Sequence, residues 1–339
     1  MQKIWFNHCF STTYQFINLI RNNPDKKQFE IYCTHGNPNS VVLQFADHKE
    51  VEPPFETEEE YIDFCLNYCK NNKIEIFVPG YKRLFIISRN IKLFQNIGVK
   101  VLLDENIELV NMFDDKSLTY ESFLKNKIID VPEYYVVTNS GDFKKAYLKI
   151  IASGKLACFK PVHAVGGSGF RIIDDNADSI AFLSDVPSAR ISFEHVYKII
   201  SQYDIFPEIM VLEYLDGFEY SIDCLAYKGQ LFSAIPRKKL GGRLRGLENN
   251  QELIAIAQKF NQEYNLSYIF NIQVRYVDDK PKLLEINPRM SGGLNVTCLS
   301  GVNYPYLAIK ILNGESINVP EPNFDIVASD IEETLILNL

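Results

Sequence analysis

Residues Tyr268–Arg289 read Tyr-Ile-Phe-Asn-Ile-Gln-Val-Arg-Tyr-Val-Asp-Asp-Lys-Pro-Lys-Leu-Leu-Glu-Ile-Asn-Pro-Arg. Apolar and polar residues alternate on both sides of the Asp-Asp-Lys-Pro sequence. That alternation is typical of strands that turn one face to the core and the other to solvent. The stretch therefore predicts an antiparallel β-hairpin, and it indicates which side chains share the polar face.

The polar face of this hairpin offers several oxygen ligands. If the turn centres on Asp279, Gln273 faces Glu285 and Asn271 faces Asn287. Directly opposed residues have Cβ atoms roughly 4.5 to 5.5 Å apart, so oxygens of Gln273, Glu285 and Asn287 can converge on a small cation. A set without Cys or His favours Mg²⁺ or Mn²⁺ over zinc. The alternative is an ordinary antiparallel pair with one wet face.

Composition and charge limit the class of protein. The 339 residues are 46% hydrophobic and 23% charged, which is typical of a globular chain long enough for two or three domains. A formal net charge of −8 argues against a nucleic-acid binder that works through bulk charge, although local basic clusters can still hold small anions. No apolar run approaches membrane-spanning length. Seven cysteines without a Cys-x-x-Cys pair indicate a reducing, cytoplasmic location.

The first third of the chain alternates between strand and helix patterns, which predicts a small parallel sheet with right-handed crossovers. The turn after the first strand, at 7–13, contains no glycine, so a dinucleotide-binding fingerprint is absent. The strand candidates are 3–7, 29–33, 74–79 and 99–103, and the helical patterns are 12–22, 58–71 and 84–96.

The rest of the chain predicts two further modules. Helix 116–126, strands 134–138 and 156–160 and helix 142–152 form a compact small module. From residue 209 the pattern becomes antiparallel, with strands 209–213, 219–227 and 230–237, helix 248–264 and then the hairpin. The apolar run 335–337 is expected to pack as a final segment. The fold class is therefore a combination of α/β and α+β, with domains at 1–112, 113–205 and 206–339.

A glycine-rich turn follows the strand that ends at Lys160-Pro161. It reads Gly166-Gly167-Ser168-Gly169 and precedes another strand pattern. Glycines let backbone N–H groups approach an anion, and Lys160 adds a charge beside them. No helix and no Gly-Lys-Ser/Thr follow, so the turn is not a P-loop but is interpreted as a flap. The alternative is a purely structural turn.

A second turn carries two acids, in Glu213-Tyr214-Leu215-Asp216-Gly217-Phe218-Glu219. The peptide groups of residues 213 to 215 are candidates to bind an adenine edge, and Glu219 is a candidate to accept from a ribose hydroxyl. The alternative is a hairpin that happens to contain two acids.

A basic segment interrupts the acidic chain. Arg237-Lys238-Lys239-Leu240-Gly241-Gly242-Arg243-Leu244-Arg245 places five cations in nine positions. The interpretation is a loop that clamps an anion, and the alternative is a solvated loop.

Taken in order, these segments resemble the ATP-grasp superfamily, and most closely its carbamoyl phosphate synthetase-like and carboxylate-amine ligase branch. The resemblance extends to about residue 314. It is carried by Lys116 at the start of a helix, by Lys160 with its glycine-rich flap, by Glu213 to Glu219, and by the sequence Glu285-x-Asn287-x-Arg289.

The resemblance implies an ATP-grasp fold preceded by a small parallel-sheet domain, the pre-ATP-grasp domain. It implies that Lys116 and Lys160 hold ATP phosphates, and that residues 213 to 215 hold adenine while Glu219 binds ribose. Gln273, Glu285 and Asn287 would hold two magnesium ions. Many peptide-forming members have Asp where this chain has Gln273, so the metal site here carries less negative charge.

The function implied is an ATP-dependent carboxylate-amine ligase that works through an acyl phosphate. Arg289 would stabilise charge on the transferring group, and Arg243 and Arg245 would hold the acceptor carboxylate. Its partners would be a small-molecule carboxylate and an amine, and relatives are often homodimers. Two alternatives stay open: a kinase or carboxylase reaction at the same ATP site, and a nucleotide-binding module without catalysis.

Overall fold

A computed structural model describes residues 1–80, 83–163, 167–178, 189–331 and 334–337. The chain divides into two compact units. Unit 1 comprises residues 1–111, 219–273 and 286–339, and unit 2 comprises 112–218 and 274–285. The division into three domains at 112 and 205 remains a prediction. Within the described ranges, no helix has both the length and the apolar character needed to cross a membrane.

The N-terminal part of unit 1 is the predicted parallel sheet. Its strand order is β3-β2-β1-β4-β5, and β1 pairs in parallel with both β2 and β4. The strand β3 was not predicted, because all four of its residues are exposed and show no alternation. The strands are β1 Gln2–Asn7, β2 Phe29–His35, β3 His48–Val51, β4 Ile76–Val78 and β5 Lys100–Val101.

Helices cover this sheet and bury a large aromatic core. Trp5 in β1 is fully buried and stacks on Phe77 of β4 with ring centroids 4.2 Å apart. The single helix predicted over 84–96 is interrupted at Asn90, where φ is −113° and ψ is 13°. The helices are α1 Thr13–Arg21, α2 Glu58–Asn72, α3 Leu84–Arg89, α4 Ile91–Asn96 and α5 Ile107–Asp114, with a 3₁₀ turn at Val41–Phe45.

Unit 2 contains a five-stranded sheet of order β6-β10-β7-β8-β9. Its central strand β10 pairs antiparallel with β6 and β7, and Met210 lies opposite Lys160. Buried Phe143, Ile150 and Val211 belong to its core. The elements are α6 Lys116–Asn126, β6 Tyr134–Val137, α7 Ser140–Ala152, β7 Ala157–Pro161, β8 Arg171–Ile173, β9 Arg190–Ile191, α8 Phe193–Ile200 and β10 Ile209–Glu213, with a 3₁₀ turn at Asp175–Asp178.

The C-terminal half of the chain forms a six-stranded sheet of order β15-β14-β11-β12-β13-β16. Its strands are β11 Glu219–Tyr227, β12 Gln230–Gly241, β13 Leu244–Leu247, β14 Tyr268–Val277, β15 Lys280–Asn287 and β16 Val327–Ser329, and the helices are α9 Gln251–Tyr264, α10 Leu294–Cys298 and α11 Tyr304–Leu312.

Two expectations about this half are wrong. The basic segment is not a loop, because it forms the end of β12 and the start of β13, with only Gly242 and Arg243 between them. The apolar run 335–337 was expected to pack, but Leu335 and Ile336 are exposed. The segment that does join the fold is β16, a few residues earlier.

The predicted hairpin is present as β14 and β15. The expected alternation holds near the turn, where Val274 and Leu283 are buried and Arg275 keeps partial exposure. It fails at Asn271, which was expected on the polar face but is fully buried and donates to Asp223 at 2.8 Å. The turn consists of Asp278 and Asp279, both in the left-handed region with φ of 48° and 61°, as two-residue hairpin turns require. Its centre lies between the two residues, so the predicted centring on Asp279 is wrong.

Candidate functional site

Lys116 begins α6, and the local sequence explains its position. The side chain of Asp115 accepts hydrogen bonds from the backbone N–H groups of Ser117 and Leu118 at 2.8 and 3.1 Å, which caps the helix at that point. Lys116 is only 7% exposed and donates to the carbonyl of Val162 at 3.1 Å. A capped helix start thus fixes a buried ammonium group within unit 2.

Lys160 lies on β7, in a comparable environment. Its Nζ atom lies 3.3 Å from the carbonyl oxygen of Leu284 and 3.4 Å from the hydroxyl of Tyr120. Desolvation of the ammonium lowers the pKa of Lys160 to about 8, although the negative charge of Glu285 acts in the opposite direction. Burial also lowers the pKa of Lys116, and Glu285 again opposes the shift.

Unit 2 therefore brings together three of the predicted residues, Lys116, Lys160 and Glu285. Both ammonium groups lie in the field of Glu285, and Lys116 also lies in the fields of Asp114 and Asp115. Burial penalises those charges unless a further anion compensates them. This arrangement fits a phosphate group.

The glycine-rich flap is described from Gly167 onward, and Gly166 lies outside the described residues. Gly167 and Gly169 have φ of +73° and +75°, a conformation that favours glycine. A Cβ atom at Gly169 would lie 2.7 Å from Cδ of Pro161, whereas nothing lies within 4 Å of one at Gly167. Ser168 between them is exposed. The two glycines are thus required by conformation, and Gly169 also by its close approach to Pro161.

Glu213, predicted to lie near adenine, ends β10 and is nearly fully buried. Its carboxylate forms ion pairs with Lys155 and Lys282. Burial raises the pKa of the Glu213 carboxyl, but the hydrogen bonds from the two lysines outweigh that effect and lower the pKa below its usual value. The side chain is thus an anchor between two lysines.

Several peptide groups of residues 213 to 215 already have partners. The N–H of Glu213 donates to the Glu133 carbonyl at 3.0 Å, and that of Tyr214 donates to the Leu156 carbonyl at 2.7 Å. The Leu215 carbonyl accepts from Arg275 at 2.8 Å. These three groups are therefore not available for the predicted contact with adenine, which is left to the other peptide groups of residues 213 to 215.

Strand register explains how unit 1 groups the basic residues. Alternation along β12 puts Arg237 and Lys239 on one face and Lys238 on the other, and Lys239 lies directly opposite Arg245 of β13. Arg237, Lys239 and Arg245 line one cavity of about 240 Å³, which Gln273 also lines. Arg243 is exposed at the turn and does not belong to that lining.

The other two candidates in this region form ion pairs. Lys239 pairs with Glu219, the residue predicted to bind ribose. Lys238 pairs with Glu248 at 3.2 Å and lies over the ring of Tyr220. The residue predicted to bind ribose is therefore in contact with a residue that lines the basic cavity of unit 1.

Arg237 is held by a buried network that the sequence did not predict. Its guanidinium lies 3.3 Å from the carboxylate of Asp223 and donates to Ser291 and Thr297, each at 3.2 Å. Asp223 is fully buried and also accepts from Asn271, Ser291 and Thr297 at 2.8, 2.7 and 2.6 Å. The network orients one edge of Arg237 and leaves the residue in the cavity wall.

Gly293 completes the support of Arg237. A Cβ atom at this position would lie 2.5 Å from Nη1 of Arg237, so the guanidinium lies flat against the glycine backbone. The Ser291-Gly292-Gly293 turn directly follows the Asn287-x-Arg289 motif. That pair of glycines was the sequence signal for the missed network. Asp223 gave none, because an acid inside an apolar strand is not distinguishable from a solvent-facing residue.

Asn287 and Arg289 contact each other in unit 1. Nη2 of Arg289 donates to Oδ1 of Asn287 at 3.0 Å, and Nη1 donates to the carbonyl of Met290 at 3.0 Å. The guanidinium lies over the ring of Phe10 at 4.9 Å from its centroid. The amide oxygen predicted to bind a metal is thus oriented by the arginine predicted to stabilise charge.

The predicted ligands fit the chemistry of a hard divalent cation. Glu285 supplies a carboxylate, and Gln273 and Asn287 supply amide oxygens, which Mg²⁺ accepts. Among the described residues there is no group of three His, Cys, Asp or Glu side chains suited to a metal ion. The convergence of all three on one ion remains a prediction.

A family model matches the C-terminal part of the chain. The model described as "ATP-grasp in the biosynthetic pathway with Ter operon" matches residues 205–334. The chain is 22% identical over 314 residues to the carbamoyl phosphate synthase arginine-specific large chain of Geobacillus stearothermophilus. That match covers 86% of this chain but 27% of the relative, so the chain spans about a quarter of its length.

Solved structures agree in fold. The biotin carboxylase domain of Hydrogenobacter thermophilus 2-oxoglutarate carboxylase, a dimer bound to MgADP and bicarbonate, has a TM-score of 0.70 at 15% identity and covers 96% of this chain and 73% of its own. An L-amino acid ligase of Bacillus licheniformis has a TM-score of 0.64 at 12% identity, covering 92% and 74%. The mixed α/β architecture and these matches together show that the chain has an ATP-grasp fold, and that its residues 205–334 match an ATP-grasp family model.

Proposed function

We propose that this protein is an ATP-dependent ligase that joins a small carboxylate to an amine. The observation that carries the proposal is the cavity of about 240 Å³ in unit 1. Three cations and Gln273 line this cavity, although the chain as a whole is acidic. Lys239 and Arg245 lie directly opposite each other there, and Glu219 pairs with Lys239. A substrate carboxylate would balance the charge of Arg245.

The reaction proceeds in two displacements. An oxygen of the carboxylate attacks the γ-phosphorus of ATP, and the bond between that phosphorus and the ADP oxygen breaks. The amine nitrogen then attacks the acyl carbon, the bond to phosphate breaks, and the amine loses one proton. The products are an amide, ADP and a phosphate that carries one oxygen from the acid.

The chain's residues bind and orient the reactants. Lys116 and Lys160 hold phosphate oxygens, and Arg245 and Lys239 hold the acid. Arg289 stabilises charge on the phosphoryl group and orients Asn287. Gln273, Glu285 and Asn287 would be the residues that hold Mg²⁺, and the ion would supply positive charge that neutralises phosphate oxygens. The seven free cysteines support a cytoplasmic, reducing location.

Isotope transfer tests the proposal. The protein is incubated with ATP, Mg²⁺, pooled amines and pooled carboxylates labelled with ¹⁸O, and ADP, phosphate and products are measured by mass spectrometry. The expected result is ADP release only when both pools are present, with one ¹⁸O atom in each phosphate. ADP release without ¹⁸O in phosphate, or a stable phosphorylated acid, refutes the ligase. No ADP release with any pool supports a nucleotide-binding module.

Two variants assign the acid to the basic cavity. Arg245→Ala should raise the KM for the acid at least tenfold and leave the KM for ATP within about twofold. Arg243→Ala is the matched control, because it removes the same charge two residues away outside the cavity lining. If Arg243→Ala has the larger effect, the predicted role of Arg243 holds and the cavity assignment is wrong.

A carboxylase is the second candidate, favoured by the neighbour bound to MgADP and bicarbonate that covers 96% of this chain. Bicarbonate is itself a small carboxylate and fits a cationic cavity. Incubation with ¹⁴C-bicarbonate, ATP and the amine pool distinguishes the two reactions. Non-volatile ¹⁴C in a product that is kept at alkaline pH and lost as CO₂ on acidification, as expected of a carbamate, together with ADP release that needs no other acid, identifies the carboxylase.

A further inference from the structure

The C-terminal strand β16 completes the edge of the large sheet beside the basic cavity. It pairs antiparallel with β13, with Ala328 opposite Arg245 and Ser329 opposite Leu244. Ala328 packs against the core of unit 1.

Asp330 lines the cavity that also contains Arg237, Lys239 and Arg245. Within the described lining it is the one carboxylate facing three cations. The cavity is therefore dipolar, with cations contributed by β12 and β13 and an anion contributed by the residue that follows β16. An occupant that carries both charges would complement it.

The cavity of about 240 Å³ is open to solvent on one side, and a single amino acid fits within it.

We propose that Asp330 binds the ammonium group of an amino acid whose carboxylate is held by Lys239 and Arg245. This inference rests on the proposed function, because it assumes that the cavity receives the acid that is activated. It goes further by naming the substrate class, an α-amino acid, and a specificity residue outside the ATP-binding motifs.

Binding to the full chain tests the proposal without turnover. Each of the twenty L-amino acids is titrated by calorimetry, and every amino acid that binds is compared with the acid in which hydrogen replaces its α-amino group. The wild type should bind at least one amino acid at least tenfold more tightly than its des-amino counterpart. In Asp330→Asn that ratio should fall to about twofold or less, and Asp330→Glu should restore part of it.

Asp325→Asn is the matched control. It makes the same change at an exposed acid five residues upstream that is not among the cavity residues, so the ratio should stay as in the wild type. Three results would overturn the proposal: no amino acid binds the wild type, the ratio survives in Asp330→Asn, or Asp330→Asn binds every acid more tightly. In the last case the carboxylate of Asp330 itself occupies the cationic site and competes with the substrate carboxylate.

The inference and the proposed function can fail separately. If ¹⁸O passes to phosphate only from acids that lack an amino group, the ligase stands and the role of Asp330 is wrong. If an amino acid binds with the expected dependence on Asp330 but no ADP is released in any mixture, the site stands and the ligase proposal is wrong.

Discussion

Replacing Asp223 by alanine should destabilise unit 1 strongly. The carboxylate is fully buried and accepts from Arg237, Asn271, Ser291 and Thr297 at distances between 2.6 and 3.3 Å. Without it, the buried guanidinium of Arg237 has lost its counter-charge. Breaking a buried ion pair in this way costs about 3–5 kcal/mol, much more than the net contribution of any one hydrogen bond.

Trp5 provides the assay. It is the single tryptophan of the chain, is fully buried and belongs to unit 1, as Asp223 does. Its fluorescence during urea denaturation therefore reports the unfolding of the unit that carries the substitution. With an m value of about 3 kcal/mol/M, the midpoint should fall by roughly 1 to 1.7 M while m stays constant.

Two controls separate burial from charge. Glu58→Gln breaks an exposed pair with Arg89 at 2.7 Å and should cost about 1 kcal/mol or less. The double substitution Asp223→Leu with Arg237→Met removes both buried charges together and should recover at least half of the lost stability. A loss below about 1.5 kcal/mol in Asp223→Ala would refute the view that this network holds Arg237 in place.

Three further predictions concern ATP binding. The pKa of Lys160 lies at about 8 because its ammonium is desolvated, so the protonated, phosphate-binding form is lost as pH rises. The Kd for ATP, measured by calorimetry, should therefore increase by up to about tenfold per pH unit above 8. Lys160→Arg should abolish that dependence. Glu285→Ala should abolish magnesium-dependent ADP release without unfolding unit 2, and unchanged turnover would contradict its role as a metal ligand. Gly169→Ala should weaken ATP binding more than Gly167→Ala, since both have positive φ but only Gly169 would contact Pro161; equal effects would show that backbone conformation alone matters.

Local sequence patterns predicted most of the fold. The sequence predicted β11 at its observed limits because polar turns mark both of its ends. Seven of its nine residues are buried. The parallel sheet followed from helices placed between short apolar strands. The strand β3 escaped because it has no buried face, and the break at Asn90 because no proline or glycine marks it.

The candidate site was predictable by residue type but not by partner. Lys116, Lys160 and Glu285 were each placed by a motif, and the structure brings them together in unit 2. Asp330 was not predictable as a neighbour of the basic segment because it lies far from Arg237 in the sequence, whereas Asp223 lies only 14 residues away, on the adjoining strand. Such long-range pairs depend on strand order, which no local pattern encodes.

The basic segment shows how strand geometry divides one sequence cluster into different roles. Alternation places Lys238 on the face opposite to Arg237 and Lys239, where it pairs with Glu248. Arg237 is buried and pairs with Asp223. The fold thus has a structural reason for Arg237. It also has one for Lys239, which pairs with Glu219, whereas Nη1 of Arg245 donates to the neutral carbonyls of Gly242 and Leu244 at 2.9 and 2.8 Å. The charge of Arg245 is therefore the one that a substrate carboxylate would balance, and the proposed acid site depends on it.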